Sequence, residues 1–161
     1  MRILILGVSG LIGHTLLLQL RSIFDTYGTL HHAKENYGNV KIFSSRKIID
    51  NINVTKSEDI ESLVKNINPD VILNCVGITK RKITNCNISQ TIETNALFPH
   101  KLTKIARTNL KRVIHFSTDC VFDGAIGNYS EKSTTTAIDL YGRTKALGEI
   151  YDSNVLTIRS S

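Results

Sequence analysis

Tryptophan is absent from this 161-residue chain, and cysteine and proline are scarce, with three and two copies. No basic run is interleaved with aromatic residues, so the stacking platform that single-stranded nucleic acid uses is missing, and nucleic acid is not an expected partner. Cys75, Cys86 and Cys120 form no CxxC pair and no even-numbered framework. That spacing excludes a zinc ribbon and a disulfide scaffold and suits a reduced, cytoplasmic setting. Cys75 and Cys120 lie in apolar runs and are expected as small buried hydrophobes. No metal site is expected, because the adjacent His31 and His32 have no third ligand at a suitable spacing. No apolar stretch approaches the roughly 18 residues of a membrane span. The apolar start, Met1 to Leu6, resembles the core of a signal peptide, yet Gly7 to Gly10 interrupts it and no small-residue cleavage site follows. Internal repeats and low-complexity tracts are also lacking.

What remains is an ordinary globular composition, 41% hydrophobic and 21% charged, enough for one domain with a real core. The net charge of +6 is uneven: residues 61–112 hold nine Lys and Arg against three Asp and Glu, and residues 113–161 hold four against six. The excess, centred on Lys80-Arg81-Lys82 and residues 101–112, reads either as a solvated face or as a field that attracts a phosphorylated ligand.

Along the chain, the short apolar run before Gly7 leads into Gly7-Val8-Ser9-Gly10-Leu11-Ile12-Gly13, after which Leu16, Leu17, Leu20, Ile23 and Phe24 recur at helical spacing. Strand, glycine turn and helix in that order suit close approach of a diphosphate, which the unpaired amides of the helix start would hold. A second strand is predicted over residues 27–32, a turn at Gly38-Asn39, and short extended pieces at 40–43 and 48–52. No Asp or Glu closes the second strand, where an NAD site usually holds the ribose hydroxyl. His31, His32 and Lys34 stand there instead, which leans toward NADP.

Ser57 is predicted to cap a helix with Glu58 and Asp59 in its first turn and an apolar stripe of Ile60, Leu63, Val64 and Ile67. The run from Val71 to Val76 reads as a strand buried on both faces, with Asn74 and Gly77 at its carboxyl end beside a ligand crevice. A helix is predicted over residues 89–109, kinked or divided at Pro99; Asn95 on it is either an exposed polar residue or a ligand of backbone or water near the site. A strand over residues 112–116 delivers Ser117-Thr118-Asp119 to the same edge. Residues 123–139 read as an active-site loop. A helix over residues 140–151 follows, then a last strand at residues 155–158. Strands alternating with helices throughout predict a Rossmann-like, doubly wound parallel sheet of about six strands with helices on both faces.

Tyr141 and Lys145 stand four apart on one face of that last helix, where the cation would stabilise the phenolate. With Thr118 they offer a hydroxyl, a phenol and an ammonium to one carbonyl, the groups that proton transfer beside a nicotinamide needs.

Taken together, the glycine turn, Ser117-Thr118-Asp119 with Val121-Phe122-Asp123-Gly124 after it, and Tyr141-Gly-Arg-Thr-Lys145 with Leu147-Gly148-Glu149 resemble the extended short-chain dehydrogenase/reductase family. Within it, the sugar-nucleotide 4-keto reductases, the dTDP-4-dehydrorhamnose reductase branch, are the most similar. The resemblance runs from the first strand to Ile158-Arg159-Ser160. It implies an NAD(P)-binding domain and reduction of the 4-keto group of a nucleotide-sugar, in bacterial polysaccharide precursor synthesis. It implies Thr118, Tyr141 and Lys145 as catalytic residues. For the cofactor it implies Gly7, Ser9, Gly10, Leu11, Ile12, Gly13, Asn53, Val54, Asn74, Cys75, Val76, Gly77, Asn95 and Ser117, together with Tyr141 and Lys145. For the substrate it implies Thr118, Asp119, Val121 and Phe122. The expected partner is the nucleotide-sugar, with a homodimer left open.

Three departures qualify the resemblance. Family members continue well past this length into a second, substrate-gripping domain, whereas residues 1–161 are expected to form the cofactor domain alone. Asn53 replaces a usual Asp near the adenine, and Lys80-Arg81-Lys82 replaces a more acidic stretch. A non-catalytic nucleotide-binding module, such as the reductase-like subunit of methionine adenosyltransferase, and a nucleotide-sugar epimerase or dehydratase are the alternatives.

Overall fold

A computed structural model describes residues 1–38, 40–83 and 88–161. The predicted turn partner Asn39, and Cys86, lie outside them. Six parallel strands form one sheet in the order β3-β2-β1-β4-β5-β6. They are β1 (Arg2–Leu6), β2 (Asp25–Thr29), β3 (Ile48–Ile49), β4 (Val71–Asn74), β5 (Arg112–Thr118) and β6 (Val155–Ser160). The order reverses direction at β1 and β4, so the crevice outside their carboxyl ends is the ligand position in a sheet of this kind.

Alternation along β1 builds two cores. Leu4 and Leu6 face one side with Ile72 and Val113, under the apolar stripes of α2 (Ser57–Ile67) and α5 (Phe98–Thr108). Ile3 and Ile5 face the other with Leu73, covered by Leu17 of α1 (Leu11–Leu20) and by Phe43. Both faces being buried explains why β1 and β4 read as unbroken apolar runs.

Several local expectations shift. The second strand is shorter and begins two residues earlier than predicted, because Arg2 to Ile5 pair with Asp25 to Gly28. Residues 41–44 coil into a 3₁₀ turn that buries Phe43, where an extended piece was predicted. Ser57 is the first helical residue, and Lys56 holds the cap position without a side-chain bond. Residues 80–83 form a short helix, α3 (Lys80–Ile83).

The helix predicted over residues 89–109 is not divided at Pro99. It runs from α4 (Ile88–Ile92) through a π-helical turn at Glu93–Leu97 into α5. Pro99 falls in the first turn of α5, where a missing amide proton costs little. The last helix, α6 (Leu140–Leu147), is four residues shorter than predicted.

Candidate active site

The glycine turn is built from close backbone contacts. Gly7 has φ of 84°, and its carbonyl accepts from Gly10 N at 3.1 Å. Thr29, at the carboxyl end of β2, accepts from Gly7 N through Oγ1 at 3.1 Å and from Val8 N through its carbonyl at 3.0 Å. A β-carbon on Gly13 would sit 2.3 Å from the Gly7 carbonyl oxygen, so α1 leaves the turn at a distance only glycine permits. Gly10 occupies the cap position of α1 with no side-chain cap, which leaves the first amides of the helix available to an anion.

A cleft of about 420 Å³ opens above this turn. Gly7, Ser9, Gly10, Asn53, Val54, Cys75, Val76 and Gly77, all expected at a cofactor site, line it together. Leu11 and Ile12 do not line it; they point outward from the first turn of α1, Leu11 being almost fully exposed. Sequence reasoning passed over Thr29, Thr55, Ile78 and Thr94, which also line the cleft, while Lys82, from the basic stretch read as a possible field for a phosphorylated ligand, and the acidic Glu93 are on the same wall. Thr29 and Ile78 follow strand positions at the carboxyl edge, and that placement is the signal that would have found them. His31 lines the cleft at the end of β2, its Nδ1 3.2 Å from the Ile52 carbonyl. Lys34 turns away, donating from Nζ to the Ser45 carbonyl at 3.2 Å.

Three expected contact residues are instead committed within the protein. Asn95 is buried in the π turn; it accepts from Ile78 N at 2.8 Å and donates to the Ile78 carbonyl at 2.9 Å and to Thr144 Oγ1 at 3.3 Å. It thereby fixes the segment after β4 that walls the cleft, and the expectation of an exposed residue is corrected. Ser117 donates to Glu149 Oε1 at 2.8 Å. Asn74 accepts from Val76 N at 3.2 Å and faces His115 Nδ1 across the sheet at 3.0 Å. Since its carbonyl oxygen serves Val76, its amide NH₂ meets His115, so Nδ1 accepts and the imidazole proton sits on Nε2.

His115 is fully buried, and burial pushes its pKa down to about 3, with the Lys145 charge acting the same way. The folded state thus refuses a proton that the unfolded chain takes near pH 6.5, so stability falls as pH drops from 6.5 toward 3. The expected loss between pH 7 and pH 5 is about 2 kcal/mol. Urea unfolding at the two pH values reads it directly. A His115→Leu variant should show little of this dependence; an equal slope in the variant would assign the effect elsewhere.

Thr118 ends β5, Tyr141 lies in the first turn of α6, and Lys145 follows one turn on. Asp139 caps α6, accepting from Gly142 N at 2.9 Å and pairing with Lys80 of α3 at 3.2 Å. Burial raises the pKa of Tyr141, while a side-chain hydrogen bond with Thr118 works against it. Lys145 is buried and donates to the Phe116 carbonyl at 2.8 Å, and burial lowers its pKa to about 8. The expected lowering of the phenol is therefore corrected: burial raises it, and Tyr141 is held as a neutral proton donor. Cys75 lines the cleft within electrostatic reach of Lys145, and burial pushes its thiol up to about 12.

Beyond Thr118 a 3₁₀ turn, Asp119–Val121, puts Val121 fully inside and Cys120 outside. Val121 therefore supports the loop and does not offer a side chain to a ligand, and Cys120 is not the buried hydrophobe expected. Asp119 and Phe122 do line a second cavity, of about 880 Å³, on the β6 side. Its loop is organised by Asp123, which accepts from Ala125 N at 3.0 Å and from the Tyr129 hydroxyl at 2.8 Å, and by Tyr129 stacked on Phe122 at 4.1 Å. Among the described residues, no cluster of three metal-ligating side chains forms.

A glycine turn at the switch point of a doubly wound parallel sheet defines a Rossmann-type fold. Within that class the chain belongs to the RmlD substrate binding domain family, whose profile matches residues 1–157. It is 28% identical over 149 residues to the dTDP-4-keto-6-deoxy-D-glucose reductase of Streptomyces niveus, covering 92% of this chain and 46% of that protein. It is 26% identical over 148 residues to methionine adenosyltransferase 2 subunit beta of Rattus norvegicus, covering 92% and 41%. The crystal structure of a hypothetical dTDP-4-dehydrorhamnose reductase from Sulfolobus tokodaii superposes with a TM-score of 0.84 at 26% identity, covering 99% of this chain and 55% of that one. The chain thus spans about half the length of the proteins it matches.

Proposed function

We propose that this chain is the cofactor-binding part of an NAD(P)H-dependent reductase that acts on the 4-keto group of a nucleotide-sugar. The observation that supports the reading is a cleft floored by the glycine turn and lined by Cys75, which lies within electrostatic reach of Lys145, with Tyr141 one turn before Lys145 on α6 and Thr118 at the end of β5. The glycine turn and the first amides of α1 suit a diphosphate, and the cleft carries His31 and Lys82 together with Glu93, a lining compatible with NADP as well as NAD. A bound nicotinamide would supply hydride to the ketone carbon. Tyr141 would give its proton to the oxygen as it gains charge, Thr118 would donate a hydrogen bond to that oxygen, and Lys145 would supply positive charge behind the phenol. Asp119 and Phe122 face the side on which the sugar would lie.

Titrating the chain with NADH and NADPH, read by nicotinamide fluorescence, is expected to give saturable binding of at least one of them. Absence of both would remove the cofactor reading. Sedimentation of the same samples reads whether a homodimer forms. The similarity to the methionine adenosyltransferase subunit supports a second reading, a nucleotide-binding module without turnover. It requires dinucleotide binding with no reduction of any 4-keto nucleotide-sugar.

A further inference from the structure

We infer that Thr144 is a positioning residue whose hydroxyl, acting through Asn95, ties α6 with its Tyr141 and Lys145 to the segment after β4 that walls the cleft. The inference rests on the reductase reading for its catalytic meaning and on hydrogen bonds alone for its geometry. Thr144 stands between Tyr141 and Lys145 on α6 and is 2% exposed. Its Oγ1 donates within its own helix, to the Leu140 carbonyl at 2.8 Å with the Tyr141 carbonyl at 3.0 Å sharing the proton. A hydroxyl has one proton to give, so toward Asn95 it is an acceptor, and Asn95 Nδ2 donates to it at 3.3 Å. The other proton of Nδ2 goes to the Ile78 carbonyl at 2.9 Å, and Oδ1 accepts from Ile78 N at 2.8 Å. The carboxamide therefore has no spare proton, and Thr144 is the partner that fixes its plane from the α6 side.

Backbone contact sets the same joint. Gly148 lies one turn beyond Thr144, and a β-carbon on it would overlap the Asn95 carbonyl oxygen. Asn95 thus meets this stretch twice, by its side chain at Thr144 and by its backbone at Gly148, while the same side chain holds Ile78 on the cleft wall. Lys80 and Asp139 also bridge the segment after β4 and the start of α6, but their side chains are 69% and 41% exposed, and an exposed pair holds little. A threonine that only bonds back to its own helix can lose its hydroxyl at small cost. Here the loss would also leave a buried Nδ2 proton of Asn95 without a partner. The amide would turn to find one, loosening Ile78 and the seat of α6 together.

The test is amide hydrogen exchange at Ile78, read by NMR, beside the fluorescence titration with NADH and NADPH. Thr144→Val keeps the shape and removes the hydroxyl. Thr103→Val is the comparator, the same change at a buried threonine of α5 whose hydroxyl donates to the Pro99 carbonyl of its own helix at 2.9 Å. In Thr144→Val, exchange at Ile78 is expected to quicken about tenfold or more relative to amides that open only on global unfolding. Dinucleotide affinity is expected to fall about fivefold. Thr144→Ser, which restores the oxygen, should return both toward native values, and Thr103→Val should leave both near native. Thr144→Ala is read in the same way and serves if the valine variant does not fold. Exchange at Ile78 that moved no more in the Thr144 variants than in Thr103→Val would overturn the inference and leave Thr144 as helix packing. Unchanged affinity in a chain that binds the dinucleotide would overturn it equally. The exchange readout needs no cofactor, so a chain that bound neither dinucleotide would lose the reductase reading and still report on Thr144.

Discussion

Tyr141→Phe is expected to lower reduction of a 4-keto nucleotide-sugar by about 100- to 10,000-fold while leaving dinucleotide binding intact. The expectation follows from where the phenol sits. Its half-buried ring has Thr118 as a hydrogen-bond partner, and burial holds the proton on the oxygen at neutral pH. Removing one hydroxyl therefore deletes the donor without opening a cavity in the core. The measurement is NADPH or NADH oxidation with a dTDP-4-keto-6-deoxy sugar, set beside the fluorescence titration of cofactor binding. A variant that turned over as fast as the native chain would remove Tyr141 from the chemistry. Loss of binding and turnover together would instead mean that the ring supports the cleft.

Gly13→Ala is expected to cost about 1 to 3 kcal/mol of stability or more and to weaken dinucleotide binding at least about tenfold, a loss of roughly 1.4 kcal/mol. The new methyl would meet Gly7 O at 2.3 Å, Gly7 C at 2.9 Å and Val8 Cα at 3.1 Å. These are backbone atoms and cannot step aside as a flexible side chain would. Relief requires α1 to lift from the turn or Gly7 to leave its left-handed conformation, and either moves the amides that would face a diphosphate. Gly10→Ala provides the contrast, since its β-carbon would meet nothing closer than the Gly7 oxygen at 3.5 Å. It is expected to fold and melt like the native chain. Equal melting temperatures and affinities for the Gly13 and Gly10 variants would refute the close-contact account.

The parallel sheet was legible because burial on both faces leaves no polar residue in most of β1 and β4, and because the glycine turn follows at once. The grouping of the cleft residues was legible for the same reason, since they leave neighbouring strands at one edge. Side-chain commitments were not. Nothing in the spacing of Asn74, Asn95 and Ser117 tells whether an amide or hydroxyl faces a ligand or a backbone group. In the fold, His115, Ile78 and Glu149 take them up. The electrostatics of the Tyr141 and Lys145 pair were misread for a related reason. Helical spacing brings the two side chains to one face but is silent on burial, and burial raises the phenol and lowers the amine.

The π turn at Glu93–Leu97 acts as a counting device. An α-helix closes each hydrogen-bonded turn over four residues, whereas a π turn closes one over five, so a single extra residue is stored there without a loop. The faces of α4 and α5 are offset by that one residue. The offset lets Asn95 reach inward to Ile78 while Phe98, Leu102 and Ile105 keep their places on the sheet. Removing a residue from this stretch would leave a regular helix of good propensity, yet one of its two faces would turn away from what it serves. The helix carries a phase as well as a length, and the phase is written in these five positions.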